Sequence, residues 1–190
     1  MKRLPSLLLA VAMLSPFASA QTSNWVPDKA HSSVDFSILH LSLSKVHGHF
    51  GNITGTIAWN DADISKSTVN VTIDTTTIDT GVTQRDNDLK SANYFDVAQF
   101  PTATFVSTSV ARNGKNLTVS GNLTLHGVTK PVVLQVEGPT GPVSGMGKTH
   151  AGFSASTTLS RTAFGIGAKT PAAMVGDEVN LTVDLDLVKQ

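Results

Sequence analysis

Apolar and polar residues alternate with a period of two in segment after segment of the chain. That period marks strands with one buried and one solvated face. In SVDFSILH, Val34, Phe36, Ile38 and His40 lie opposite Ser33, Asp35 and Ser37; in NITGTIAW, Ile53, Ile57 and Trp59 lie opposite Asn52, Thr54 and Thr56. TVNVTID brings Val69, Val71 and Ile73 to one face, and the segment after it carries Phe105. LTVSGNLTL aligns Leu117, Val119, Leu123 and Leu125, and VVLQVE aligns Val132, Leu134 and Val136. AGFSASTTL centres on Phe153, and VNLTVDLDL continues the pattern with Leu181 and Val183. One-sided antiparallel strands need their edges protected, and closure into a barrel removes the edges. The pattern therefore predicts an all-β fold: a single antiparallel barrel of about eight strands, apolar face inward, a size that can hold one small ligand as lipocalin-like barrels do.

The punctuation between these runs predicts the connections. Asn113-Gly114 is a two-residue hairpin signal, because both residues tolerate positive φ. One short helix is expected near residues 83–95, TQRDNDLKSANYF, with Asp86 and Asp88 suited to its first turn and Lys90 to its last. The Gly- and Pro-rich stretch EGPTGPVSGMGKTHAG from Glu137 and RTAFGIGAKTPAAMVGDE from Arg161 read as long loops. Long loops at one end of a barrel control access to its interior.

The first twenty residues change the setting. Lys2 and Arg3 precede the apolar run Leu7 to Leu14, and Ala18-Ser19-Ala20 precedes Gln21. This reads as an export signal cleaved after Ala20, which leaves residues 21–190 as one exported domain. No later run is apolar over the ~18 residues a membrane-spanning helix needs. The chain has no cysteine, so a disulfide framework is excluded and stability has to come from a core. Without Lys2 and Arg3 there remain 12 basic and 14 acidic residues, a net charge of −2 with neutral histidines, and no basic run. Nucleic acid is not an expected partner. A low aromatic content, with 8 Phe, 2 Trp and 1 Tyr, favours a barrel that keeps a cavity over one filled by its own rings.

Candidate chemistry is sparse. LTLHGVTKPV sets His126 near Thr129 and Lys130, but its parity turns His126 away from Leu123 and Leu125, Gly127 permits a turn, and Pro131 suits the first position of a strand. The reading is a corner. His47-Gly48-His49 places two imidazoles on one strand face, a partial zinc set without an identifiable third ligand, and Gly48 or Gly51 could introduce a bulge. No metal site is assigned. His40 sits at the rim of the apolar face, where it can meet a ligand's polar end or be satisfied by a backbone carbonyl. Arg161 shares the parity of Phe153 and raises the same question for a phosphate or carbonyl head group. No nucleophile elbow, metalloprotease motif or phosphate-binding glycine loop occurs.

WVPDKAHSSVDFSILH, HGHFGNITGTI, TQRDNDLKSANYFDVAQFPTATFVSTS, GNLTLHGVTKPV, RTAFG and VGDEVNL occur in the order found in the YceI-like family, and the resemblance covers nearly all of Trp25 to Val188. One departure is Ala163, where such proteins often carry an acidic residue. The resemblance implies a periplasmic barrel that holds a polyisoprenoid or similar long-chain amphiphile, isoprenoid quinones included, with no cofactor beyond that lipid and no catalysis. The expected lining is the inward set named above, with Phe164 following Arg161. An enzyme acting on the lipid head group and a protein-interaction barrel with a filled core remain the alternatives, and a homodimer is left open.

Overall fold

The computed structural model describes residues 22–145 and 147–190, so the expected export signal lies outside the described residues. Ten strand segments follow one another: β1 (Thr22–Pro27), β2 (Ser33–His40), β3 (Ser44–Phe50), β4 (Thr54–Asn60), β5 (Thr68–Asp74), β6 (Thr102–Asn113), β7 (Asn116–Leu125), β8 (Val128–Gly145), β9 (Lys148–Ser160) and β10 (Val175–Lys189). All pairings are antiparallel, in the order β1-β4-β5-β6-β7-β8-β9-β10-β2-β3, and β1 also pairs with β10. The sheet is thereby closed.

Ten segments occupy eight places in this barrel, because two strands are interrupted. β1 and β2 lie end to end along β10: Pro27 faces Leu187, and Ser33 faces Asp184. The corner between them is stitched to β10 at Asp186, whose carbonyl accepts from the Asp28 N–H at 2.8 Å and whose N–H donates to Ser32 Oγ at 3.2 Å. β3 and β4 are likewise separated only by residues 51–53. The first half of this arrangement, β1, was not expected.

The two ends of the barrel differ as a result. At one end β4 pairs with both β1 and β5, and the ring is complete. At the other end β3 pairs only with β2, apart from an isolated bridge between His49 and Asp79. Residues 75–101 cross that gap and contain the one α-helix among the described residues, α1 (Thr83–Lys90). The helix stops earlier than its sequence suggests, because the chain must turn inward to bring Tyr94 and Phe95 against the core beside Leu89. Phe95 packs edge-on against Phe50 at 5.5 Å. Asp86 acts ahead of the helix rather than as a simple dipole partner: it accepts from the Thr80 N–H and hydroxyl at 2.9 and 2.5 Å, and those bonds hold its carboxyl below the usual range.

Inward glycines make room for rings. A Cβ on Gly48 would collide with the Phe36 ring, and one on Gly121 with the Phe105 ring. Large aromatics can therefore lie across the neighbouring strand inside the barrel. β3 pairs with β2 without a register shift, so no bulge forms at Gly48, and His47 and His49 project outward and exposed.

The remaining differences from expectation follow from pairing. Asn113 faces Asn116, so the hairpin turn is Gly114-Lys115, one residue later than the Asn-Gly signal, with positive φ at Gly114. The stretch from Glu137 is mostly a long β8–β9 hairpin, not a loop; register breaks coincide with Pro139 and Pro142, which lack a donor for the ladder. Pro131 sits inside β8 opposite Asn122, three residues past the strand start. It is tolerated because β8 pairs with β9 only from Gln135 onward, so Pro131 lies on a local edge.

Candidate functional site

The barrel interior is hollow and divides into two joined lobes. The inner lobe, about 130 Å³, lies toward the fully closed end and is lined by Ile57, Val69, Val71, Phe105, Leu134, Phe153 and Val183, with only Ser67 and Thr157 as polar neighbours. Trp59 also lines it and packs against Phe153 in a tilted arrangement, ring centroids 5.3 Å apart. The indole N–H donates to Asp61 at 2.6 Å, which leaves the ring's carbon face for the cavity. The inner lobe is therefore a hydrocarbon environment.

The mouth lobe, about 390 Å³, is lined by Phe36, Ile38, His40, Arg161 and Phe164 together with residues of α1 and of the loop after β9. Val34, Ile73, Leu123 and Leu181 line both lobes and join them. Every residue expected to line the interior from strand parity does so. The mouth adds residues that parity could not reach: Arg85, Asp88 and Leu89 of α1, Tyr94 and Phe95 after it, and Ile166, Thr170 and Met174 in the loop.

Arg161 does not have the free guanidinium that a head-group contact needs. It is 5% exposed, and Nε donates to Gly176 O, Nη1 to Ile166 O and Gly167 O, and Nη2 to Thr170 O and Val175 O, at 2.5 to 3.0 Å. A guanidinium has five N–H donors, and five carbonyls use them. Arg161 latches the mouth loop instead. Tyr94 reinforces the latch, its hydroxyl lying 3.2 Å from Thr170 Oγ1. Asp177 closes the same loop by accepting from the Thr162 N–H and hydroxyl at 3.0 and 2.6 Å; hydrogen bonds from Ser160 and Thr162 lower its carboxyl.

Polar groups at the rim are few. His40 is exposed there, and Arg85 uses two donors on Thr80, at 2.7 and 2.8 Å, beside Asp88. Arg85 was hidden from sequence reasoning because RDND offers two acids that suit a helix start. Its signal is positional: it sits one turn before Leu89, which faces the interior.

His126 and Gly127 form the β7–β8 turn, both with positive φ, so LTLHGVTKPV is a corner. The imidazole is more enclosed than parity suggests: Nδ1 lies 3.0 Å from Phe164 O, and the ring meets Phe100 edge-on at 4.8 Å. It braces the mouth loop from behind. Among the described residues, the group of His and carboxylate ligands close enough to share a metal is Asp28, His150 and Asp186, not the His47/His49 pair. It lies on the outer face near the closed end. There His150 Nδ1 is 2.7 Å from Asp186, and His31 Nδ1 is 3.1 Å from Asp28. The contact raises the His31 imidazole, while hydrogen bonds from Ala30 and His31 lower the Asp28 carboxyl.

No helix among the described residues is long and apolar enough to cross a membrane. The chain is 38% identical over its whole length to Protein YceI of Escherichia coli O6:H1, covering 98% of that protein. Among solved structures it is similar to Burkholderia cenocepacia BcnA, with a TM-score of 0.75 at 25% identity over 84% of this chain and 98% of that one. It also shares its fold with a polyisoprenoid binding domain from Saccharophagus degradans, TM-score 0.65 at 15% identity over 90% of this chain and 100% of that one. The model of the YceI-like domain matches residues 25–187, which spans every strand from the end of β1 to the end of β10, and the chain belongs to that family.

Proposed function

We propose that this barrel binds and carries a polyisoprenoid or similar long-chain amphiphile, a polyprenyl lipid or isoprenoid quinone, without acting on it chemically. The observation that carries this reading is the pair of joined lobes, apolar inside and edged with a few polar groups at one end. A chain enters tail first, and its head group stays at the rim near His40, Arg85 and Asp88. Each methylene removed from water contributes ~0.8 kcal/mol before ordering costs, so the tail sets the affinity and the rim adds selectivity. The name of the Saccharophagus domain supports the ligand class, and the N-terminal sequence supports a periplasmic site of action. No metal or other cofactor takes part.

The test is mass spectrometry of an organic extract from protein purified without detergent. A prenyl lipid or quinone in stoichiometric amount, retained after treatment with a chelator, is expected. Protein that carries no such lipid and cannot be loaded with any across a panel of quinones and prenyl lipids contradicts the reading.

A further inference from the structure

The tip of the β2–β3 hairpin gathers three exposed leucines. Leu39, Leu41 and Leu43 are 44%, 48% and 85% exposed, and Met174, beside them in the mouth loop, is 53% exposed. Leu41 and Ser42 hold φ of 53° and 57°, the left-handed region that turn positions normally give to Asn, Asp or Gly. The fold therefore spends a bulky apolar residue where a polar one would be easier, and the side chain reaches into solvent rather than the core. The Leu41 N–H donates to Met174 O at 2.9 Å, which fixes the tip against the mouth loop.

This surface is continuous with the cavity. Leu39 and Val46 on the hairpin and Met174 in the loop all line the mouth lobe, so apolar side chains run from the tip into the interior. The hairpin carries one formal cation, Lys45, while Asp35 faces His49 within it and Asp177 and the exposed Glu178 follow on the neighbouring strand.

We infer that the β2–β3 hairpin docks the protein on a phospholipid bilayer, burying Leu41 and Leu43 among the acyl chains so that the cavity mouth faces the membrane. The inference rests on the reading of the cavity as a lipid site. A long prenyl tail has no soluble source, so it has to leave a bilayer over a shielded path, and the tip with Leu39 and Met174 supplies one.

The experiment compares the wild-type protein with a variant combining Leu41→Asn and Leu43→Asp. Neither residue lines the cavity, and Asn suits the left-handed backbone at position 41. Flotation with vesicles of phosphatidylethanolamine and phosphatidylglycerol reads docking, and movement of a fluorescent polyprenyl probe between such vesicles reads transfer. The wild type floats; the variant's vesicle affinity falls about tenfold per leucine, the loss expected for one side chain left unburied, and transfer slows in step. Uptake of the same probe from cyclodextrin, where no membrane is involved, is equal for both.

Equal flotation and transfer by variant and wild type, or a wild type that does not float, overturns the docking role. So does a wild-type dimer in sedimentation that the variant dissolves, since the leucines then cover a second copy. Failure of both proteins to take probe from cyclodextrin removes the lipid reading itself, and the docking role with it.

Discussion

The inner lobe and the mouth of this barrel share strands but not construction. Around the inner lobe, β1, β4, β5 and β10 close the ring with uninterrupted ladders, and its walls come from alternate residues of paired strands, with one register shift in β6 between Ser107 and Ser109. At the mouth the ring gapes beside β3, and the walls come from a helix, a latched loop and a hairpin tip. The difference separates two tasks. A closed, apolar wall can hold any hydrocarbon chain without distinguishing its ends, whereas an irregular rim can bear polar groups, admit a ligand and meet a membrane.

The sharpest way to break this comparison is to charge the inner wall. Val71 is buried with no polar partner nearby, so Val71→Asp introduces an unpaired charge that costs roughly 3 to 5 kcal/mol or forces the carboxyl to stay protonated. Denaturant unfolding reads the loss. Lipid retention should also disappear, and Val183→Asp, at a less enclosed position, provides a second variant whose circular dichroism shows whether the barrel stays folded. Folded variants that retain lipid fully would show that the chain does not occupy the inner lobe.

A change at the mouth should act locally. Arg161→Met leaves five carbonyls without their donor and is expected to cost about 2 to 3 kcal/mol. Hydrogen exchange should rise across residues 161–175 while β5 to β7 stay protected. Uniform loss of protection around the barrel would mean that the latch and the closed end form one cooperative unit.

The brace behind the mouth is smaller still. His126→Ala removes one hydrogen bond and an edge-on ring contact, about 1 kcal/mol in a thermal or denaturant scan, with lipid retention unchanged. Abolished retention in the folded variant would make the corner part of the binding site.

The smallest expected effect lies at the closed end and depends on pH. The His31 imidazole is raised, so its contribution is complete below its ordinary range and fades as pH climbs through the raised value. The Asp28 carboxyl is lowered, so its contribution is present above its ordinary range and fades as pH falls through the lowered value. The pair therefore supports the β1–β2 corner most between those limits, from mildly acidic toward neutral pH. His31→Gln should flatten a small difference in stability between neutral and mildly alkaline pH; a steeper dependence in the variant contradicts the assignment.

The same division explains what was legible in the sequence. Strand parity placed Val34, Val71, Phe105, Phe153 and Val183 on the cavity wall, because a period of two and one buried face leave a single consistent register. The mouth obeys no period. Tyr94, Phe95 and Met174 reach the cavity from turns whose direction depends on tertiary packing, and Arg161 kept the inward parity of its strand while its donors were taken by a loop that sequence alone cannot fold. The long β8–β9 hairpin was obscured for a related reason: glycine and proline read as a loop, yet register breaks let the ladder run past them. The β1–β2 interruption depends on Ser32 and Asp28 finding Asp186 on the adjacent strand β10, more than 150 residues away in sequence, a contact with no local trace.

The most direct test of the tail-first, two-lobe account is photo-crosslinking with a polyprenyl probe carrying a diazirine at the end of the tail remote from the head group. The account predicts labelled peptides from the inner wall, around Trp59, Val71, Phe153 and Val183, with the rim residues His40 and Arg85 unlabelled. Labelling confined to α1, the mouth loop or the outer surface would contradict it.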